Sequence, residues 1–160
     1  MVSDHLVVTD RLTADDFPVS AERRAGILAD LTAEMDADSQ HSEVLRLTFV
    51  TGQPAAGKSR TIDRISAEFD SAPVVLDSDV IRLNHPMMDE IIAADPQRMD
   101  VLSNGPVGEW MGGLIDHARE SGYNVIMVFA PSSPGSHTDN YTLAINDRRH
   151  RGVTVTPDEQ

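Results

Sequence analysis

The chain has 160 residues, enough for one domain with a real core, and its 40% hydrophobic but only 4% aromatic content makes that core depend on Val, Ile, Leu and Met. A net charge of −13 speaks against nucleic acid or an anionic membrane surface as partner, and the lack of cysteine excludes disulfides, thiolate nucleophiles and Cys-based zinc sites. The first residues show no basic-then-apolar leader pattern and no apolar run reaches membrane-spanning length, so the expected compartment is the cytoplasm.

Residues 1–19 hold no sustained period and read as an extended lead-in, with 20–160 as a single domain. Ser20 is a plausible N-cap for a helix over 21–35, whose apolar stripe is Ile27, Leu28, Leu31 and Met35. A polar linker, 36–42, leads to a buried strand over 45–51.

That strand runs into Gly52-Gln53-Pro54-Ala55-Ala56-Gly57-Lys58-Ser59, a complete G-x-x-x-x-G-K-[ST] loop. A helix follows over 60–69, with Ile62, Ile65 and Phe69 on one face. Strand, loop and helix in this order are the context a phosphate-binding loop requires. Its glycines let backbone N–H groups turn inward on a phosphate, and the helix N-terminus adds positive potential. Lys58 then reaches the β/γ-phosphates of ATP and the Ser59 hydroxyl serves Mg²⁺; Arg60 completes the nucleotide-binding set. The plain alternative is a Gly-rich turn without a ligand.

A second strand spans 73–77, followed by a helical stretch containing Arg82 and broken at His85-Pro86. Another helix covers 87–94 and stops at Asp95-Pro96, since proline restricts the residue before it. A longer helix is expected over 106–120 with Gly122 as its left-handed cap, then a third strand over 123–129. Beyond it come a Pro-bounded loop at 131–136, a short helix over 141–149, and a short strand or extended tail at 153–155. Met87, Met88, Met111 and Met127 read as core filler, and the six histidines lack metal-site spacing. The order implies a three-layer α/β domain of the P-loop NTPase/kinase-like class, with a mostly parallel sheet and truncation at the C-terminal side, 131–160 forming an atypical tail. Ligands bind such sheets beyond the C-terminal strand ends, where the loop, Asp77, Asp79 and Ala130 fall.

Two stretches together carry a family resemblance. The G-Q-P-x-x-G-K-[ST] loop is followed by Asp77-Ser78-Asp79-Val80-Ile81-Arg82-Leu83-Asn84-His85-Pro86, a D-x-D-x-x-R-x-x-H-P segment at the tip of the next strand. With Glu120-Ser121-Gly122-Tyr123-Asn124-Val125-Ile126 further on, this resembles the zeta-toxin family over about residues 45–128. The resemblance implies a P-loop kinase of a toxin–antitoxin module that phosphorylates UDP-N-acetylglucosamine with ATP, and a helical antitoxin as partner. It casts Asp79 as the base toward a sugar hydroxyl, chemistry that any such transfer needs. Arg82, one turn on, would hold a phosphate or orient Asp79. Asp77 belongs to the substrate side or, through water, to Mg²⁺, and His85 to packing or capping before acid–base work. An ordinary N-cap at Asp79 and a solvated Arg82 are the plain alternatives.

The family's substrate-side glutamate falls at Gly112 in this chain, within a Gly-Gly pair that invites either close approach or a helix break. Glu109, one turn earlier, is the candidate substitute. Where the family has a Glu-x-Thr segment, this chain has Val128-Phe129-Ala130. Arg148, Arg149 and Arg151 form either a shortened lid or a solvated helix end. Besides an active nucleotide-sugar kinase, the sequence leaves open a catalytically impaired pseudokinase that binds nucleotide or antitoxin, a P-loop kinase for another metabolite, and a decayed remnant.

Overall fold

The computed structural model describes residues 11–43, 45–51, 58–129 and 154–157. Ser20 caps the first helix, α1 (Ala21–Asp38), by accepting the Arg23 N–H on its hydroxyl at 3.2 Å. The helix runs through Asp38, absorbing three residues of the expected linker. Of its stripe, Ile27 and Met35 are buried, and Leu28 and Leu31 pack against the core from its margin.

Strand β1 (Arg46–Thr51) leads to α2 (Lys58–Ser66), then β2 (Val74–Asp77), α3 (Ser78–Arg82) and α4 (Met88–Ala94). A 3₁₀ turn at Pro96–Arg98 precedes α5 (Met99–Leu102) and the long α6 (Asn104–Ser121). Strands β3 (Val125–Phe129) and β4 (Thr154–Pro157) complete the described elements. The sheet order is β2-β3-β1-β4, and every pairing is parallel. The 153–155 stretch, read as strand or tail, thus becomes a strand beside β1, with Arg46 opposite Thr154 and Phe49 opposite Pro157.

Side-chain alternation along the strands divides the core into two layers. Leu47, Val74, Leu76, Val125 and Met127 face one way and pack with Ile27, Met35, Trp110, Met111, Leu114, Ile115 and Ala118 from α1 and α6. Val50, Ile126 and Val128 face the other way onto Ile65, with Ile62 and Phe69 at the margin. The apolar residues expected on one face of the second helix meet the sheet as a group. The three layers α1/α6, sheet and α2 realise the expected α/β architecture, and near-continuous apolar strands are what a parallel sheet covered on both faces demands.

Helix α6 closes with a Schellman motif. Gly122 lies at φ +75°, its N–H bonds the Arg119 carbonyl at 3.2 Å, and the Tyr123 N–H returns to Ala118 at 2.8 Å. This turn shortens the third strand to start at Val125 rather than 123. Buried Asn124 then ties the chain together: its Oδ1 accepts the Arg46 N–H at 2.8 Å, and its carbonyl accepts the Val74 N–H at 2.7 Å.

The lead-in contributes an anchor that its lack of periodicity hid. Asp16 accepts the Thr13 N–H at 2.7 Å across a 3₁₀ turn, which aims Phe17 into a cluster with Ile91 and Leu102. Arg98 Nη2 donates to the Leu12 carbonyl at 2.9 Å from the same side.

Candidate active site

The site is built at the C-terminal edge of the sheet. Asp77 of β2, Val128 of β3 and Val50 of β1 lie at one level in register, so the ends of three strands stop together. Chain continuity starts the Gly52–Gly57 loop from this edge, directly after Thr51; the loop itself, like the lid candidates Arg148, Arg149 and Arg151 and the expected 141–149 helix, lies outside the described residues. Lys58 opens α2 after the loop, and Ser59 and Arg60 are exposed in that first turn, which holds no acidic residue. A helix start free of carboxylates suits an anion.

Across the edge, the turn from β2 into α3 is organised by two aspartates with different tasks. Asp77 is the N-cap: its Oδ1 accepts the Asp79 N–H at 2.9 Å. The capping role considered for Asp79 therefore belongs to Asp77, two residues earlier. Released from it, the Asp79 carboxylate stays 48% exposed and receives Arg82 Nη1 at 2.6 Å.

Arg82 is not a solvated surface residue. Its side chain is only 12% exposed, and Nε donates to Ser103 Oγ at 3.1 Å. Ser103 is fully buried between α5 and α6, with its own hydroxyl donating to the Met99 carbonyl at 2.6 Å. Of the two tasks considered for Arg82, the one visible here is orienting Asp79. Ser103 escaped sequence reasoning, because a lone serine 21 residues from Arg82 carries no signal.

His85 has a structural post. It is 3% exposed, its Nδ1 accepts the Met87 N–H at 3.1 Å beyond the Pro86 break, and its ring meets Trp110 edge-on at 6.5 Å. Accepting on Nδ1 puts the ring proton on Nε2. Burial pushes the His85 pKa below its ordinary 6.5, with a smaller opposing effect from the Glu90 charge.

The structure does not leave Glu109 unpaired. Its Oε2 accepts Arg24 Nη1 at 2.9 Å, so the carboxylate is drawn to α1. Helix α6 runs unbroken through the Gly112-Gly113 pair. A Cβ at Gly112 would meet open space, whereas one at Gly113 would sit 2.6 Å from Leu28 Cδ2. The close approach expected at this pair therefore happens at Gly113.

Beside the site an open groove of about 390 Å³ runs between α1 and the outer strand β2, lined among others by Met35, Asp38, Val75, Asp77, Val80 and Leu114. Val80 of α3 and Leu83 just after it stay 60% and 67% exposed. Among the described residues there is no cluster of three or more potential metal ligands, and no helix is long and apolar enough to cross a membrane. The Ser59 hydroxyl and the Asp77 and Asp79 carboxylates are hard oxygen donors, whose chemistry fits Mg²⁺ held largely by phosphates and water better than an ion caged by protein.

Comparison with known proteins agrees with this fold. Among solved structures, a chain from the PezAT chromosomal toxin–antitoxin system of the human pathogen Streptococcus pneumoniae superposes with a TM-score of 0.69 at 16% identity, over 88% of this chain and 57% of that one. Similarity at that identity is one of fold, and the present chain spans little more than half of that structure's length. None of the curated proteins matches. The family model described as Zeta toxin matches residues 32–140, well over half of the sequence and including the loop, the Asp77–Pro86 segment and β3, and on that match the chain belongs to the zeta-toxin family.

Proposed function

We propose that this protein is an ATP-dependent kinase that phosphorylates a nucleotide sugar, UDP-N-acetylglucosamine, with Asp79 as the base. The observation that carries the reading is the Asp79–Arg82 pair: an exposed carboxylate, held at 2.6 Å by a largely buried guanidinium, at the same sheet edge from which the phosphate-binding loop departs. In this reading the sugar hydroxyl passes its proton to an Asp79 oxygen as its own oxygen bonds the γ-phosphorus, and ADP leaves. Lys58 and the loop backbone hold the phosphates. The Ser59 hydroxyl would hold Mg²⁺, which would supply neutralising charge to the phosphates. Asp77 shapes the turn that presents Asp79, and His85 supports it from below. The tail arginines 148, 149 and 151 stand as lid candidates on their residue type alone. An antitoxin partner is part of the same reading, supported by family membership and by a fold shared with a chain from a toxin–antitoxin system.

The test is ³¹P NMR of the protein with ATP, Mg²⁺ and UDP-N-acetylglucosamine. A new phosphomonoester signal that is absent with Lys58→Ala and lost with Asp79→Asn supports the reading; turnover by Asp79→Asn at the normal rate overturns the assignment of the base.

One observation favours a second reading, a nucleotide- or antitoxin-binding pseudokinase. Gly112 has no side chain where the family carries a glutamate, and the substitute Glu109 is engaged by Arg24. Saturable ATP binding without any product, together with capture of a cognate antitoxin, would support it.

A further inference from the structure

We propose that Ser103 is a positioning residue for Asp79, acting through Arg82. This rests on the reading of Asp79 as the base and adds how its carboxylate is aimed.

A serine hydroxyl has one proton to give, and Ser103 gives it to the Met99 carbonyl at 2.6 Å. The short bond sets that direction, and Ser103 is fully buried. The oxygen lone pairs are thereby pointed at Arg82 Nε, which donates at 3.1 Å. A guanidinium is planar, so holding Nε fixes the plane in which Nη1 must lie. Nη1 then meets the Asp79 carboxylate at 2.6 Å.

The chain of bonds runs from a buried carbonyl at the α5–α6 junction to a carboxylate that is nearly half exposed. Without its buried end, Arg82 is a long side chain with several free torsions, and the Asp79 carboxylate has only a flexible partner.

The proposal is tested with Ser103→Ala, which removes the acceptor and keeps the fit, and Ser103→Thr, which keeps the hydroxyl. In the protein without substrates, NMR should show the Arg82 Nε–H protected from exchange. Ser103→Ala should lose that protection, while Ser103→Thr should stay close to the unmodified protein. In turnover assays, Ser103→Ala should lower kcat by roughly tenfold or more, since general-base catalysis contributes about 10²–10⁴ and misaiming forfeits part of it. KM for ATP should hold, and Ser103→Thr should keep the unmodified kcat.

If Ser103→Ala leaves the Arg82 Nε–H as protected as in the unmodified protein, the proposal is overturned. The NMR outcome stands whether or not the protein turns over UDP-N-acetylglucosamine. A missing product with an intact Ser103 effect on the Arg82 Nε–H therefore counts against the kinase reading alone. A normal product with no Ser103 effect counts against this proposal alone.

Discussion

The indole N–H of Trp110 donates to the main-chain carbonyl of Arg24 at 3.0 Å, while the Arg24 side chain reaches back to Glu109, the residue beside that same indole. Two bonds in opposite directions thus clamp α1 to α6 at one turn of each helix. Trp110 is fully buried, and its ring also backs the edge of His85. The clamp therefore supports the segment that carries Asp79 and Arg82 from below.

Trp110→Phe removes the donor and part of the filled volume. The loss of one hydrogen bond and of buried ring atoms should cost about 1–3 kcal/mol. Urea denaturation followed by far-ultraviolet circular dichroism measures it, since the single Trp is lost as a fluorescent probe. A midpoint equal to that of the unmodified protein would show that the clamp contributes nothing.

Glu109→Gln addresses the other half of the clamp. The ion pair is partly exposed on both sides, 33% at Arg24 and 53% at Glu109, so its loss should cost less than about 1 kcal/mol. With its carboxylate spent on α1, Glu109→Gln should leave phosphoryl transfer unchanged where Asp79→Asn abolishes it. A matching collapse in kcat would instead place Glu109 on the substrate.

The two adjacent glycines of α6 should respond differently to alanine. At Gly112 a Cβ meets open space, so Gly112→Ala should stabilise the helix by about 1 kcal/mol. At Gly113 the same atom would press on Leu28, forcing that side chain to turn away from the core margin. Gly113→Ala should fall at least about 1 kcal/mol below Gly112→Ala, with the difference removed in a Leu28→Ala background. Thermal and urea midpoints of the variants decide it.

His85 makes stability depend on pH in one direction. Its folded pKa is depressed by burial, so the folded ring stays neutral as the unfolded ring takes up a proton below its ordinary 6.5. The unfolded state then binds more protons, and stability drops as pH falls from about 6.5 toward the folded pKa, with no contribution above it. His85→Gln, whose amide oxygen can still accept the Met87 N–H, should flatten that part of the profile. Urea midpoints at about pH 7.5 and about pH 5.5 for both proteins test the sign. Equal slopes would show that the ring takes up its proton as readily when folded.

Local chemistry made much of this protein legible from its residues. Ser20 as a cap, Gly122 as a left-handed stop, the break at His85-Pro86 and the apolar face of α2 are decided within one or two helical turns, and each stands where it was expected. The strand–loop–helix order and the Asp77–Pro86 segment sufficed to identify the family, because a phosphate-binding turn is specified by consecutive residues.

What could not be read depends on which elements come to lie side by side. The strand order β2-β3-β1-β4 follows from how the two apolar layers are shared among helices. Glu109 was freed or captured only by Arg24, 85 residues away, and the close approach fell at Gly113 because Leu28 of α1 sits there. Arg82 reads as a surface cation until Ser103 is brought beneath it. Residue type and spacing set what each side chain is able to bond; packing alone chose its partner, since a burial that stabilises two helices draws together groups whose separation in the chain leaves no mark on either neighbourhood.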